Sequence, residues 1–167
     1  MISASTPDWS REARRFGQWS PGKSLLARLR AYQRLEGRPL ARIRRAPIVL
    51  RHRFWSAVSG ADIPLNCRIG GGLLIPHPNG IVIHPDSRIG PNCLLLQQVT
   101  LGVTDGGAPA IGGHVDIGAG AKVLGEVHIG DHARIGANAV VLDDVPEGAT
   151  AVGVPARVRP DQATLRV

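Results

Sequence analysis

The chain has 167 residues, 43% of them hydrophobic but only 4% aromatic, with 21 glycines, 13 prolines and a formal charge of +7. That length suits one domain with a small appendage, and the apolar fraction is enough for a core, which excludes wholesale disorder. No apolar run approaches the ~20 residues of a membrane helix. Residues 1–20 carry Arg11, Arg14 and Arg15 in place of the apolar stretch of a secretory signal. Cys67 and Cys93 lack CxxC spacing and make no disulfide framework, so a cytoplasmic location is expected.

The charge is uneven. Residues 1–60 hold 13 Lys/Arg against 3 Asp/Glu, and residues 61–167 hold 7 against 10. Glycine divides in the same way, 4 against 17. Three segments are therefore expected: a basic N-terminal segment (1–60), a glycine-rich domain (61–159) and a tail (160–167).

The basic segment opens with one clear helical pattern. Leu25, Leu26, Leu29, Tyr32 and Leu35 form an apolar stripe, Arg28, Arg30 and Arg34 take other faces, and Gly37 and Pro39 end it. A second piece carries Leu40, Ile43, Ile48, Val49, Leu50, Phe54, Trp55 and Val58, interrupted by Pro47. The plain reading is a helical cap over one end of a repeat domain. A sharper reading is peripheral attachment to the anionic inner surface of a membrane. Nucleic-acid binding would also account for the charge, but no nucleic-acid motif supports it.

Beyond residue 60 the sequence repeats every six residues. Ile111, Ile117, Val123, Ile129, Ile135 and Val141 follow one another without a gap, with Gly after four of them at 112, 118, 130 and 136. Two places before the later guides stand Val115, Ala121, Val127, Ala133 and Ala139. An earlier phase runs through Ile63, Ile69, Ile75 and Ile81 and slips by two into Ile83, Ile89, Leu95 and Leu101; a longer break covers 102–110. A period of six fits neither a helix nor a two-faced strand. It fits a short strand with one inward aliphatic, then a turn. Three such hexads close a coil of about 18 residues, and four to five coils stack roughly 4.8 Å apart. The glycine after each guide is expected to serve a tight corner, sometimes at positive φ. A narrow prism has no room for rings, which explains the scarcity of aromatics. Cys67 and Cys93 fall two before a guide and are expected inside as small hydrophobes.

The period and the tail Gly153-Val-Pro-Ala-Arg157 resemble the left-handed β-helix (hexapeptide-repeat) acyltransferases. Within them, Ala61-Asp-Ile, His77-Pro-Asn-Gly-Ile-Val, Gln97-Gln-Val-Thr-Leu-Gly102 and Ile117-Gly-Ala-Gly-Ala-Lys122 are most similar to the serine acetyltransferase branch. The fold implied is mainly β, a left-handed parallel β-helix with a short helical N-terminal segment. The chemistry implied is transfer of an acetyl group from acetyl-CoA to a hydroxyl, directly and without a metal. A protonated hydroxyl is a weak nucleophile and needs a positioned base. His77 occupies the family's base position, and Asp62, 15 residues earlier, takes the place of the aspartate that orients the imidazole. By the same resemblance the pantetheine arm lies between neighbouring β-helices of a homotrimer, on backbone amides near Ala119 and Ala137. The same resemblance implies that Lys122, Arg134 and Arg157 face the nucleotide phosphates; the loop from Gly102 to Gly107 is either a source of amides for a developing oxyanion or an unadorned turn.

Two departures bear on the acceptor. Pro76 stands where that branch carries an acid before the base. Gly107 and Ala108 stand where it carries an Arg-His pair that recognises an amino acid. The sequence therefore leads to a sugar or glycoconjugate hydroxyl as acceptor, with serine O-acetylation and a non-catalytic β-helix scaffold as alternatives. The other histidines, His52, His84, His114, His128 and His132, are weaker candidates. His128 and His132 sit on consecutive strands, where the helical logic of a metal pair does not apply.

Overall fold

A computed structural model describes residues 2–14, 16–35, 37 and 41–159, and the side chains within them other than those of Ala41 and Arg42. The expectations for Arg15, Pro39, Leu40 and the tail 160–167 lie outside the described residues. A single 3-10 turn, Trp9–Glu12, is followed by α1 (Pro21–Gln33) and α2 (Ala41–Ser59). α1 buries Leu25, Leu26 and Leu29, as its stripe requires. α2 runs through Pro47 without a break, so the expected interruption does not occur. The ring removes one backbone hydrogen bond, and packing of the helix offsets that local cost.

Thirteen strands follow among the described residues: β1 (Arg68–Ile69), β2 (Val82–Ile83), β3 (Arg88–Ile89), β4 (Leu94–Leu95), β5 (Thr100–Gly102), β6 (Ala110–Ile111), β7 (Asp116–Ile117), β8 (Lys122–Leu124), β9 (His128–Ile129), β10 (Arg134–Ile135), β11 (Val140–Val141), β12 (Thr150–Val152) and β13 (Arg157–Arg159). They form three parallel sheets, β1-β3-β6-β9, β2-β5-β8-β11 and β4-β7-β10-β12, the last extended by antiparallel β13. The chain thus winds a three-sided parallel β-helix of about five coils, at the upper end of the count read from the hexads.

The register explains both breaks in the period. Val82 pairs with Thr100, a step of 18 residues, whereas Asp62 pairs with Val82, a step of 20. The two extra residues lie between Leu74 and Val82, in the corner that carries His77. Arg88 pairs with Ala110, a step of 22, because the 103–109 loop adds four residues.

The interior is built as the hexads imply. Ile117, Val123, Ile129, Ile135 and Val141 point inward, and Val115, Ala121, Val127, Ala133 and Ala139 fill the layer between them, all buried. Cys67 and Cys93 are buried in the same layer, and burial pushes their thiols up to about 12 and about 11. At physiological pH both are neutral hydrophobes.

The role expected of the repeat glycines needs correcting. Gly118 is not at positive φ; a Cβ there would sit 2.6 Å from the amide nitrogen of Ala137 in the next coil. The glycine after the guide is thus a matter of coil-to-coil approach. The left-handed backbone falls two residues later, at Gly120 and Asn138 on one corner and at His114 and His132 on another.

The N-terminal segment is fastened to the solenoid through one buried ion pair. Arg30 donates from Nη2 to Glu12 Oε1 at 2.8 Å and to the Gly70 carbonyl at 2.6 Å, and from Nη1 to the Ile69 carbonyl at 2.6 Å. Glu12 Oε1 also accepts from the amides of Gly72 and Leu73 at 2.8 and 3.1 Å. Further along, buried Asn92 accepts from the Asp8 amide and donates to the carbonyls of Ser3 and Thr6. Removing one member of a buried, fully hydrogen-bonded pair leaves an uncompensated charge, at a cost of about 3–5 kcal/mol. Glu12→Ala is therefore expected to lower the urea unfolding midpoint by that order, and an unchanged midpoint would show the pair to be incidental.

Candidate active site

His77 stands on the corner between the sheet of β4 and the sheet of β2, exposed, between Pro76 and Pro78. Each proline fixes its own φ, so the backbone on either side of the histidine has little freedom. The corner is tied to the start of the domain: the Gly80 amide donates to the Gly60 carbonyl at 2.7 Å, and the Asp62 amide to the Ile81 carbonyl at 2.8 Å. His77 lies three residues before Gly80 and Asp62 two residues after Gly60, so the two positions flank one backbone contact. Among the described residues no hydrogen bond or ion pair joins their side chains.

A ridge of stacked turns rises from this corner. Gln98 donates its amide to Asn79, Gly120 to Gln97 and Asn138 to Ala119, each at 2.8 or 2.9 Å. His77, Ala119 and Ala137 therefore lie along one edge of the prism, the last about three coil spacings, or roughly 14 Å, above the first. Lys122 and Arg134 stand on the two faces that meet at that edge, on β8 and β10. Lys122 Nζ leans down the edge and donates to the Gln98 carbonyl at 2.6 Å. Arg157 begins β13, exposed at the top of the β10 face.

Gly102 is elsewhere. It closes β5 at the opposite edge of its face, where its carbonyl accepts from the Gly125 amide at 3.0 Å. The adjoining loop is self-contained, because Thr104 and Gly107 exchange two hydrogen bonds, Thr104 N to Gly107 O at 3.1 Å and the reverse at 2.9 Å. Those two amides are committed within the turn.

Two features were not read from the sequence. The first is His52, buried on α2, with Nε2 unpartnered among the described residues. It lines a cleft of about 460 Å³ together with Arg53, Ser56, Gly60 and Asp62. Burial pushes its pKa down, against the opposing pull of the Ile63 backbone and then of the Asp62 carboxylate. The second is the pair His114 and His132, whose Nδ1 atoms are 2.8 Å apart on stacked corners. Their separation of 18 residues is one coil, a signal that was present in the numbering. Among the described residues no three His, Cys, Asp or Glu side chains gather as a metal site.

With this geometry in place, the class of the fold is matched by a known family: the profile described as Bacterial transferase hexapeptide (six repeats) covers residues 109–143. The finer likeness is to serine acetyltransferases. Probable serine acetyltransferase 4 of Oryza sativa subsp. japonica is 52% identical over 118 residues, 68% of this chain and 38% of that protein. The serine acetyltransferase of Escherichia coli (strain K12) is 43% identical over 124 residues, 71% of this chain and 45% of that protein. Among solved structures, a serine acetyltransferase in complex with CoA has a TM-score of 0.72 at 38% identity, covering 84% of this chain and 58% of that one. Soybean serine acetyltransferase complexed with serine has a TM-score of 0.72 at 40% identity, covering 83% of this chain and 57% of that one. The chain spans less than half the length of these curated relatives. It resembles the serine acetyltransferase branch of the hexapeptide-repeat, β-helix acyltransferases, and these relatives lend the sugar acceptor no support.

The buried His52 gives the site an expected acid response. Its pKa is ordinary, about 6.5, in the unfolded chain and lower in the folded one, so the unfolded state takes up the proton first as pH falls. Its contribution to stability is whole above about pH 6.5 and is lost on acidification. His52→Leu is expected to shrink the loss of urea midpoint between about pH 7.5 and about pH 5.5. An unchanged loss would show that the acid response comes from other groups.

Proposed function

We propose that the protein is an acetyl-CoA-dependent O-acetyltransferase whose acceptor is the hydroxyl of serine. The observation that carries this reading is the single prism edge that holds His77 at its foot and the backbones of Ala119 and Ala137 above it. The relatives named for serine acetylation, one of them solved with CoA and one with serine, support the same reading.

In this reading His77 accepts the serine hydroxyl proton as the oxygen attacks the thioester carbonyl carbon. The tetrahedral intermediate then collapses, the C–S bond breaks, and the imidazolium returns the proton to the departing sulfur. The products are O-acetylserine and CoA, and His77 ends as it began. Asp62 holds the imidazole with its reactive nitrogen toward the acceptor. Closing the gap between their side chains is a matter of local rearrangement, since catalytic hydrogen bonds in unliganded sites are commonly long.

The pantetheine arm lies along the edge above His77, accepting from backbone amides near Ala119 and Ala137. Lys122, Arg134 and Arg157 meet the phosphates. Gly102 stands on the far edge and has a packing role in this proposal. The edge is open on one side, and a neighbouring solenoid in a homotrimer supplies the missing wall. Serine carries both an ammonium and a carboxylate, and the cleft beside α2 presents both signs of charge in Asp62 and Arg53. This is a source of recognition that does not depend on positions 76, 107 or 108.

His77→Ala is expected to reduce turnover at least ~10²-fold with little change in acetyl-CoA binding, in line with general-base contributions. Near-normal turnover would overturn the assignment. In a panel of acceptors followed by release of the CoA thiol, L-serine is expected to be acetylated and free sugars to be inert. The opposite pattern would return the acceptor to a glycan.

A further inference from the structure

α2 carries an apolar stripe on its exposed side. Ile43, Pro47, Leu50, Phe54 and Val58 fall on one side of the helix at 100° per residue, and all five are exposed. Ile43 and Leu50 are each 72% exposed and Phe54 58%. The opposite side, which packs inward, holds the buried polar residues His52 and Ser59, with Ile48, Val49, Trp55 and Ser56 half-buried around them. Hydrophobic packing within the chain does not account for this placement, and an exposed contiguous apolar stripe marks a contact surface.

The surroundings of the stripe say what it contacts. Arg44 and Arg51 flank it on one side and Arg53 on the other, all exposed or half-exposed. From residue 37 to residue 61 the sequence has no Asp or Glu. All six aromatic residues of the chain lie in its first 55 residues. Three of them gather at this end of the molecule: Trp19 is 5.7 Å and Phe54 5.3 Å from the Trp55 ring, centroid to centroid. Trp19 is 73% exposed, and Phe16 nearby in sequence is fully exposed. An apolar stripe, arginine flanks without acids and exposed indoles are the three features that suit a helix lying in the headgroup region of an anionic bilayer. A twofold contact between two copies of the stripe would instead bring its arginines face to face with no acid between them.

We infer that α2 is a membrane-surface helix, which docks the protein on anionic lipid with Leu50 and Phe54 inserted and Arg44 and Arg51 among the headgroups. The helix does not cross the bilayer, since among the described residues no helix is long and apolar enough to do so. The inference stands apart from the acceptor and from the transfer chemistry.

The test is co-sedimentation of the full chain with large vesicles of phosphatidylcholine alone or with phosphatidylglycerol added. Pelleting with the mixed vesicles only, accompanied by a blue shift of tryptophan emission, is expected. The double variant Leu50→Glu/Phe54→Glu should keep its acetyl transfer and lose binding at least tenfold. Should that variant fold poorly, Arg44→Gln/Arg51→Gln leaves the apolar stripe intact and is expected to weaken binding by roughly fivefold per arginine. Equal recovery of the native chain in the supernatant with both vesicle types would overturn the inference. So would light scattering in which Leu50→Glu/Phe54→Glu splits the native assembly while the native chain ignores vesicles, because the stripe would then be a contact between copies.

Discussion

Every part of this molecule depends on one constraint, that each coil must lie flat on the one beneath it. The backbone amides of a coil find their acceptors in its neighbours, so no stretch of the solenoid can be satisfied on its own. The constraint acts on sequence in two ways. It admits one branched aliphatic per hexad to an interior of fixed width. It also forbids side chains at the few places where coils touch backbone to backbone, as Gly118 does against Ala137. Wherever residues exceed the step of 18 they must be expelled at a corner, and the two corners that do so carry the His77 turn and the 103–109 loop. The proposed base thus stands at a place where the regular coil has been opened to free a side chain from packing.

Coil closure also sets how the ends are treated. The first coil is covered by the helical segment and locked by Glu12 and Arg30, which bind both to each other and to backbone groups of the solenoid. The cost of burying these charges is offset because nearly every lone pair and N–H around them has a partner. α2 lines the cleft beside Gly60 and Asp62, so the basic segment is a wall of that cleft as well as a cap.

Most of the solenoid was legible in the numbering. A gap-free run from Ile111 to Val141 fixes both the inward residues and the coil length, and the slip before Ile83 already marks the His77 corner. The inward cysteines follow from the same arithmetic. What the period does not encode is which residues meet across the outside of the prism. The partnership of His114 and His132 needs the coil length applied to residues outside the hexad pattern. The burial of His52 depends on the way α2 packs, which no six-residue count reports. The sugar acceptor rested on charges missing from positions 76, 107 and 108, and no residue spacing reports that α2 brings Arg53 into a cleft with Asp62. Pro47 misled for a local reason, since a helix of 19 residues held by tertiary contacts absorbs the loss of one amide.

The short last strand has a consequence beyond completing a sheet. A stack of parallel coils has no intrinsic end, because its uppermost strands offer the same unpaired groups that every lower strand has already used. β13 turns back antiparallel over β12, from Val152 against Arg157 to Thr150 against Arg159, and thereby covers one of the three faces with a strand running the wrong way for another coil. Its three residues are exposed and two of them are arginines. A second solenoid arriving end-on at that face would meet reversed polarity and positive charge in place of a continuing template. On that face a continuing template is replaced by a capped edge, and end-to-end growth of coil upon coil into a fibre is disfavoured there.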